Sequence, residues 1–334
     1  MTGEAAGAAR RLIVNADDFG WSSGVSRGII RAWAEGIVTS TTLAANMPAA
    51  AEALGLWRST PEGTLRGAIL PVCPTGVPPV EVLGRDADRH GRDARDTHCP
   101  YGRDTLGVGV HLNVCQGPAL SLRGRAVLAG EGGVMVWGAA ALIARCAARP
   151  GRYLSAIQAE MEAQVAWCLD HSLRPTHADS HRHVHGWPPV FRMVVELCRR
   201  YDIAFVRRHG ERLPPSAPPA PLSARWLSRA LNILAARSGS VGGERLGTTG
   251  TLGVAHTGLV DVALIEAVAA GLPPGVTELM THPGESDGLD AAQTRLLASR
   301  RRELDALCDA RAARAIADNR IELISYADLA ATGR

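Results

Sequence analysis

The sequence predicts a mostly parallel α/β fold whose strands form a (β/α) barrel, either complete or incomplete. Short apolar segments alternate with helical patterns along the chain, and polar residues follow several of the apolar segments. The length of 334 residues and a hydrophobic content of 46% suit one large domain with a substantial core. We therefore expect a single domain over 1–334, with its core at about 11–330.

The first predicted β-α-β unit delivers two adjacent carboxylates to the end of a strand. The apolar run 11–16 predicts a buried strand, and Asp17 and Asp18 follow it directly. Side chains alternate between the two faces of a strand, so both carboxylates can face inward only if the backbone turns. Gly20 would ease such a turn. A helical pattern follows, and the β-branched segment 37–43 predicts the second strand.

Two segments interrupt the alternation of strands and helices. Residues 60–105 contain several prolines and alternating Arg and Asp without apolar periodicity, so they predict an insertion that is either a lid or a disordered loop. The Pro-rich segment 213–222 predicts a surface excursion. Both segments would border the carboxyl ends of the strands, where a barrel binds its substrate.

The remaining segments complete the alternating pattern. Further strands are predicted at 106–114, 179–185, 203–206, 277–281 and 321–324, and helices at 153–170, 188–198, 223–237 and 291–313. Arg207 and Arg208 follow the strand 203–206 and are more typical of surface charges than of groups that clamp a substrate.

The segment 179–185 contains three histidines at alternate positions. In an extended strand these histidines share one face with Asp179, because side chains two residues apart point the same way. Burying His181, His183 and His185 beside a carboxylate costs free energy unless something binds them. Metal binding is therefore favoured over a chance run of histidines on a solvated strand.

Composition excludes several functional classes. Aromatic residues make up only 4% of the chain and the net charge is +3, so we expect no nucleic-acid partner. All 36 basic residues are arginine, which excludes a Schiff-base lysine. The seven cysteines form no C-x-x-C pair, and neither a signal peptide nor a long apolar run is evident, so we expect a cytoplasmic protein without a membrane span. The sequence leaves open whether the protein forms a homodimer.

Polar residues at the predicted strand ends suggest the chemistry of a metal-dependent hydrolase. The candidates are Asp17, Asp18, His111, His181, His183, His185 and His282. A hydrolytic metal site needs about three protein ligands and an open position for water, and a carboxylate with imidazoles can supply them. A second carboxylate would deprotonate the water, and a separate imidazole would protonate the leaving group. Spacing alone neither separates Asp17 from Asp18 nor selects one of the three histidines in 179–185.

Several motifs occur in the order found in one known family. They are Asn15–Gly20, Gly36–Ser40, Val110–Leu112, Asp179–His185 and His282–Glu285. Together they span about residues 11–285, and in this order they resemble the YdjC-like carbohydrate deacetylases, the chitooligosaccharide-deacetylase family. The resemblance implies a barrel-like (β/α) fold, one divalent metal ion, and hydrolysis of the N-acetyl group of an acetylated amino sugar with release of acetate.

The resemblance also implies roles for individual residues. It places the metal ion on Asp18, His111 and His181, with Asp17 as the general base and His282 as the leaving-group acid. A mixed set of oxygen and nitrogen donors accepts either Mg²⁺ or Zn²⁺. The residues that would contact the substrate or support the site are His183, His185, Asn15, Asp179 and Arg207.

Two other functions stay open alongside this one. A metal-dependent phosphoesterase can use similar residues on a barrel, but it usually needs two metal ions about 3.5–4 Å apart. A non-catalytic sugar-binding relative would keep the site without turnover. The segments 60–105 and 213–222 depart from the family pattern, and they leave the natural substrate open.

Overall fold

The computed structural model describes residues 9–60, 106–238, 243–291 and 294–332. The strands are β1 (Arg10–Phe19), β2 (Ser40–Leu43), β3 (Gly107–Leu112), β4 (His177–Ser180), β5 (Phe205–Val206), β6 (Thr251–Leu252), β7 (Gly275–Thr281) and β8 (Glu322–Leu323). The helices are α1 (Ser23–Ala34), α2 (Ala50–Ser59), α3 (Leu122–Val127), α4 (Ala139–Ala148), α5 (Pro150–Asp170), α6 (Pro188–Arg200), α7 (Leu222–Ser238), α8 (Val262–Gly271), α9 (Ala298–Leu307), α10 (Ala310–Asp318) and α11 (Tyr326–Thr332). Apart from its first residue, the insertion predicted at 60–105 lies outside the described residues.

One parallel sheet contains all eight strands and curls into an incomplete barrel. The strand order is β5-β4-β3-β2-β1-β7-β6, which places β1 in the interior of the sheet. β8 pairs with the start of β1. Among the described residues no strand pairing joins β5 to β6. The two ends of the sheet meet instead where the Thr251 hydroxyl donates to the carbonyl oxygen of Arg208 at 2.8 Å. This architecture confirms the predicted α/β fold in its incomplete form.

The main hydrophobic core contains side chains from the strands and from the surrounding helices. It joins Val14 of β1 and Val110 of β3 to Ile29 of α1, Val165 of α5 and Val194 of α6, all of them buried. Helices connect successive parallel strands, as the geometry of such a sheet requires. Their packing fixes the carboxyl edge of the sheet, where the candidate site residues lie.

The end of β1 turns sharply, which allows both of its carboxylates to be buried. The pairing of β1 with β2 shifts register here, Asp18 has φ 72° and Gly20 has φ 83°. A Cβ atom on Gly20 would lie 2.9 Å from the Cα atom of Ala50, so a larger residue at this position would also clash. Asp17 and Asp18 are both buried. The predicted turn is therefore confirmed.

The histidine-rich segment does not form the predicted continuous strand. β4 ends at Ser180, and residues His181–Gly186 form a 3₁₀ turn in which Arg182 and His183 have φ 55°. The Ser180 hydroxyl stabilises this turn, because it accepts a hydrogen bond from the backbone N–H of His185 at 2.9 Å. The prediction that one aspartate and three histidines share a strand face is wrong, since the left-handed backbone redirects the side chains.

Two helices differ from the sequence prediction. The helix predicted at 291–313 is divided into α9 and α10, because Asp309 caps α10 and accepts a hydrogen bond from the backbone N–H of Arg311 at 2.8 Å. The sequence does not predict α8, whose nearly uniform apolar composition lacks helical periodicity. Residues 213–221 contain no helix or strand and lead into α7.

None of the helices in the described parts of the chain combines the length and the apolar composition that crossing a bilayer requires.

Candidate metal centre and active site

Three side chains from different strand ends converge at the carboxyl edge of the sheet. Asp18 comes from β1, His111 from β3, and His181 from the position directly after β4. Asp18 Oδ1 lies 3.3 Å from His111 Nε2 and 3.4 Å from His181 Nδ1. Ligand atoms of the three residues all lie within 4.8 Å of one another. The structure thus brings together the three residues predicted as metal ligands.

In both histidines, the ring nitrogen that points away from Asp18 contacts an oxygen acceptor. This outer nitrogen determines which form the other ring nitrogen presents to Asp18. His111 Nδ1 lies 2.7 Å from Asp179 Oδ1, and His181 Nε2 lies 2.8 Å from Gln116 Oε1. Each acceptor requires the ring proton on the outer nitrogen, so the lone pair of the neutral ring faces Asp18. Asp18 Oδ1 and His111 Nε2 are buried and make no hydrogen bond. Electron pairs that face one another in this way are stabilised by a cation, either a proton on His111 Nε2 or a metal ion that replaces it, so the residues fit a metal ion.

Buried charges around the cluster also favour a cation. Four carboxylates are buried here, and they belong to Asp17, Asp18, Asp179 and Glu278. The described residues place two buried guanidinium groups against them, those of Arg207 and Arg300. Arg300 Nη2 lies 2.5 Å from Asp18 Oδ2, which leaves Asp18 Oδ1 for another partner. Excess negative charge in a buried site is costly unless a cation or a proton compensates it.

The pKa values in the cluster show how strongly its charged groups interact with one another. Burial by itself would lower the pKa of His111, but Asp179 and the two adjacent aspartates of β1 raise it to about 10. Burial by itself would raise the pKa of Asp18, but Arg300 and the two histidines hold it well below its usual range. Burial lowers the pKa of His181, so this ring is neutral at pH 7. A metal ion would therefore displace a proton from His111.

A second buried cluster surrounds Arg207 and contains the predicted general base. The guanidinium group pairs with both oxygens of Asp17, at 2.6 and 2.7 Å, and lies 2.7 Å from both Asp179 Oδ2 and Glu278 Oε1. Arg207 is completely buried, so the expectation of a surface charge is wrong. Burial by itself would raise the pKa of Asp17, but the guanidinium group of Arg207 holds it well below its usual range. Asp17 is therefore ionised and fixed in place.

Asn15 fixes Asp17 from another direction. Its Nδ2 atom donates to Asp17 Oδ1 at 2.9 Å, and its Oδ1 atom lies 3.0 Å from His177 Nε2. The His177 ring stacks on Tyr326 with ring centroids 3.9 Å apart, and the Tyr326 hydroxyl donates to Glu278 at 2.9 Å. A continuous buried network thus supports the carboxylate of Asp17.

His282, predicted as the leaving-group acid, follows directly after β7. Its backbone N–H donates to Glu303 Oε2 at 2.5 Å, and its Nδ1 atom is buried without a hydrogen-bond partner. Burial lowers the pKa of His282 to about 4, although Asp17 and Asp18 act in the opposite direction. The ring is therefore neutral at pH 7, and it can deliver a proton to a leaving group only after receiving one.

His183, His185 and His209 form a group of rings next to the two clusters. The His209 ring stacks on His185 with centroids 4.7 Å apart, and it meets His183 edge to face at 5.0 Å. Burial lowers the pKa of all three rings, in the case of His183 to about 3. Four of their ring nitrogens are buried without hydrogen-bond partners. These neutral rings can therefore donate to or accept from a bound ligand.

The sequence analysis misses several residues of the site, among them Arg300, Glu303, His209 and Glu278. Arg300 and Glu303 lie in α9, where a run of charged residues is typical of an exposed helix. His209 follows β5 and belongs to no recognisable motif. Glu278 lies within β7, and its burial could have been predicted from the sequence. A glutamate inside an apolar strand requires a buried partner.

The fold and the site together define a class: an incomplete parallel α/β barrel with a candidate single-metal centre at the carboxyl edge of its strands. The chain matches the family described as YdjC-like protein over residues 11–77 and 82–318, and it belongs to that family. This match confirms the resemblance that the sequence motifs indicate.

Individual relatives agree with the family assignment. The carbohydrate deacetylase of Halalkalibacterium halodurans is 30% identical over 206 residues, which are 62% of this chain and 66% of the relative, slightly less than two thirds of its length. The carbohydrate deacetylase of Brevibacillus brevis is 27% identical over 329 residues, 96% of this chain and 99% of the relative.

A solved structure from Enterococcus faecalis V583 has a similar fold. It is named "putative cellobiose-phosphate cleavage protein", and it is 21% identical to this chain. The superposition covers 96% of this chain and 99% of the other, with a TM-score of 0.68. At this level of identity the likeness shows the fold alone.

Proposed function

We propose that the protein is a metal-dependent carbohydrate N-deacetylase, which hydrolyses the N-acetyl group of an acetylated amino sugar and releases acetate. The strongest support is Asp17, an ionised carboxylate that pairs with Arg207 while its neighbour Asp18 faces two imidazoles. The Brevibacillus brevis relative, which matches nearly the whole chain, is named a carbohydrate deacetylase. The proposed substrate is a chitooligosaccharide or another glycoconjugate that contains N-acetylglucosamine.

Asp18, His111 and His181 would hold one divalent ion, either Mg²⁺ or Zn²⁺. When bound, this ion would polarise the acetyl carbonyl group and lower the pKa of a water molecule. The side chain of His181 is 16% exposed, against 2% for His111 and 3% for Asp18, so substrate would approach from the His181 side.

The pKa values support an order for the later transfers of one proton, from Asp17 to His282 and then to the amine. Asp17 would take the proton from water, and it would release the proton readily because Arg207 keeps its pKa low. His282, with a pKa of about 4, binds a proton more strongly than Asp17 and would pass it to the departing amine. The amine, with a pKa of roughly 8 like an α-amino group, would retain it. The proton taken from water thus leaves with the amine, and the site returns to its starting charge.

The remaining site residues would position these groups or contact the sugar. Asp179 orients His111 through Nδ1 at 2.7 Å, and Arg207 orients Asp17, so both act through other residues. His185 is held by Ser180 and would support the turn after β4. His183 is only half-buried, and we assign it to the substrate.

Reconstitution with metal tests this proposal directly. Protein stripped of metal is supplied with Mg²⁺ or Zn²⁺ and a panel of N-acetylated sugars, and released acetate is measured. We expect metal-dependent release, reduced roughly 10²–10⁴-fold by His282→Ala. His171→Ala is the matched control, because His171 stacks on Trp167 after the end of α5. Absence of acetate release with every metal and sugar would contradict the function, and near wild-type release by His282→Ala would contradict the role of that residue.

A two-metal phosphoesterase has less support. The second group of residues that could hold an ion is Asp17, His111 and Asp179, and it shares His111 with the first group. The guanidinium group of Arg207 already pairs with both carboxylates, at 2.6 and 2.7 Å. A second ion would therefore have to displace Arg207. Two ions per chain together with phosphate release from a phosphate ester would favour this alternative.

A further inference from the structure

Helix α7 presents an apolar stripe to solvent. Leu222, Trp226 and Ile233 are 71%, 66% and 55% exposed. With 3.6 residues per turn, they lie within about 40° of one another around the helix axis. Leu227, next to Trp226, is 49% exposed. Of the eight large hydrophobic side chains exposed in the described parts of the chain, four belong to α7.

The opposite face of α7 is fixed against the barrel. Leu231 is buried with Val254 and Met280 in a small hydrophobic cluster. The Ser228 hydroxyl donates to Glu211 Oε2 at 2.5 Å, so the helix is also held by a buried polar contact. These contacts set the rotation of the helix about its axis. The stripe therefore faces outward because of how α7 is packed, and rotation of the helix cannot bury it without breaking them.

Basic residues flank the stripe. α7 contains Arg225, Arg229 and Arg237, all exposed, and it contains no acidic residue. The guanidinium group of Arg229 lies 5.4 Å from the centroid of the Trp226 ring. Helices that lie in the interface of a bilayer combine these features, since Trp and aliphatic side chains enter the headgroup region while arginines meet lipid phosphates.

We propose that α7 docks this protein on the surface of an anionic membrane. A twofold contact between two copies of α7 would place the arginines of one helix against those of the other, which disfavours a second copy as the occupant. Because the stripe is only three side chains long, docking is reversible and needs both the apolar contact and the charge attraction. The proposal does not depend on the hydrolytic activity.

Docking would also leave α7 between the membrane and the turn that borders the candidate active site. Leu231 of α7 packs so closely on Gly186 that a Cβ atom at Gly186 would clash with it. Gly186 ends the turn that begins at His181, the most exposed of the three candidate metal ligands. The helix that contacts the membrane is therefore in direct contact with the turn that borders the site.

Vesicle sedimentation with the full chain tests the proposal. We expect wild-type protein to sediment with vesicles of phosphatidylcholine and phosphatidylglycerol at low ionic strength, and not with phosphatidylcholine alone. The double variant Trp226→Ser/Ile233→Ser should bind at least about tenfold more weakly, because it loses most of the buried apolar area. Arg225→Gln/Arg229→Gln should lose the preference for anionic lipid. Leu122→Ser is the matched control, since Leu122 is 87% exposed on α3.

Three outcomes would overturn the proposal. Wild-type protein could remain in the supernatant with anionic vesicles, or Trp226→Ser/Ile233→Ser could bind as well as wild type. Light scattering could instead show a dimer that this double variant converts to a monomer, in which case a second copy covers the stripe. Acetate release from a soluble N-acetylated sugar should be unchanged in the double variant, which separates membrane docking from catalysis.

Discussion

The two buried clusters at the carboxyl edge of the sheet use the same kinds of side chain but differ in how their charges are satisfied. Around Arg207, both oxygens of Asp17 pair with the guanidinium group at 2.6 and 2.7 Å. In the other cluster, Asp18 Oδ1 and His111 Nε2 face each other at 3.3 Å without a hydrogen bond. A complete buried network holds a group in position, whereas an incomplete one requires a ligand.

Asp179 belongs to both clusters. One of its oxygens lies 2.7 Å from His111 Nδ1, and the other lies 2.7 Å from Arg207 Nη1. The Thr42 hydroxyl donates to the second oxygen at 3.1 Å. Through Asp179 and Arg207, the orientation of the candidate ligand His111 is therefore coupled to that of the candidate base Asp17. The two clusters nevertheless have different proposed tasks.

Asp18→Asn should have the largest effect, because it removes the charge of the incomplete cluster. Asn tolerates the left-handed backbone at this position, so the fold should be retained. We expect loss of bound metal by elemental analysis and a loss of acetate release beyond the roughly 10⁴-fold limit of a single acid–base group. Asp305→Asn, on the exposed face of α9, serves as the control. Full metal content in Asp18→Asn would show that the metal centre lies elsewhere.

Asp17→Asn should separate the two clusters functionally. We expect acetate release to fall roughly 10²–10⁴-fold while the bound metal stays at the wild-type level, because Asp17 pairs with Arg207 and is not one of the three proposed ligands. Parallel kinetic and metal measurements on the same preparation decide this point. If Asp17→Asn also strips the metal, the two clusters do not have separate tasks.

Arg207→Gln should chiefly affect stability. It leaves three buried carboxylates without their shared cation, so the free energy of unfolding should fall by about 3–5 kcal/mol in urea titrations. The folded-state pKa of Asp17 lies below its unfolded value of about 3.9, so this pairing stabilises the protein above that pH and is lost as pH falls.

The difference between wild type and Arg207→Gln should therefore shrink in acid. Arg207→Lys keeps the positive charge without the planar fork, and an intermediate stability is expected. Arg208→Gln is the control, because this neighbouring arginine is half-buried. A pH-independent difference between wild type and Arg207→Gln would show that Asp17 is not the group stabilised by Arg207.

Glu303→Gln should give the smallest effect. Burial raises the pKa of Glu303 to about 7, although backbone N–H groups act in the opposite direction. Because this pKa lies above the unfolded value of about 4.3, its contribution to stability is present below that pH and is lost as pH rises through 7. We expect the variant to lose this dependence, a change of about 1–3 kcal/mol in unfolding free energy between pH 5 and 8. Glu322→Gln is an exposed control, and an unaltered pH dependence in Glu303→Gln would refute the assignment.

The sequence indicates the incomplete cluster better than the complete one. Asp18 and His111 lie at the ends of predicted strands, and the carboxyl ends of parallel strands meet at one edge whatever the details of packing. Arg207 and Arg300 have no such marker. An arginine after a two-residue strand, or within a charged helix, has the local pattern of a surface residue, and tertiary packing alone reveals its burial.

The histidine-rich segment shows a second limit of sequence patterns. Alternate spacing singled out the three histidines as a group, and His181 is the one that lies in the candidate metal-ligand cluster. It wrongly placed His183 and His185 on the same strand face, because the period of a strand assumes an extended backbone. Positive φ at two consecutive residues other than glycine is rare, and no local pattern predicts it.

The left-handed backbone at Asp18 restricts how this candidate active site can change. The residues that adopt this conformation most easily are Gly and Asn, and neither brings a negative charge. A substitution at Asp18 would therefore lose either the left-handed backbone conformation or the negatively charged oxygen donor. Laboratory evolution toward another ion or another reaction would have to keep this position constant and explore its more exposed neighbour, His181, instead.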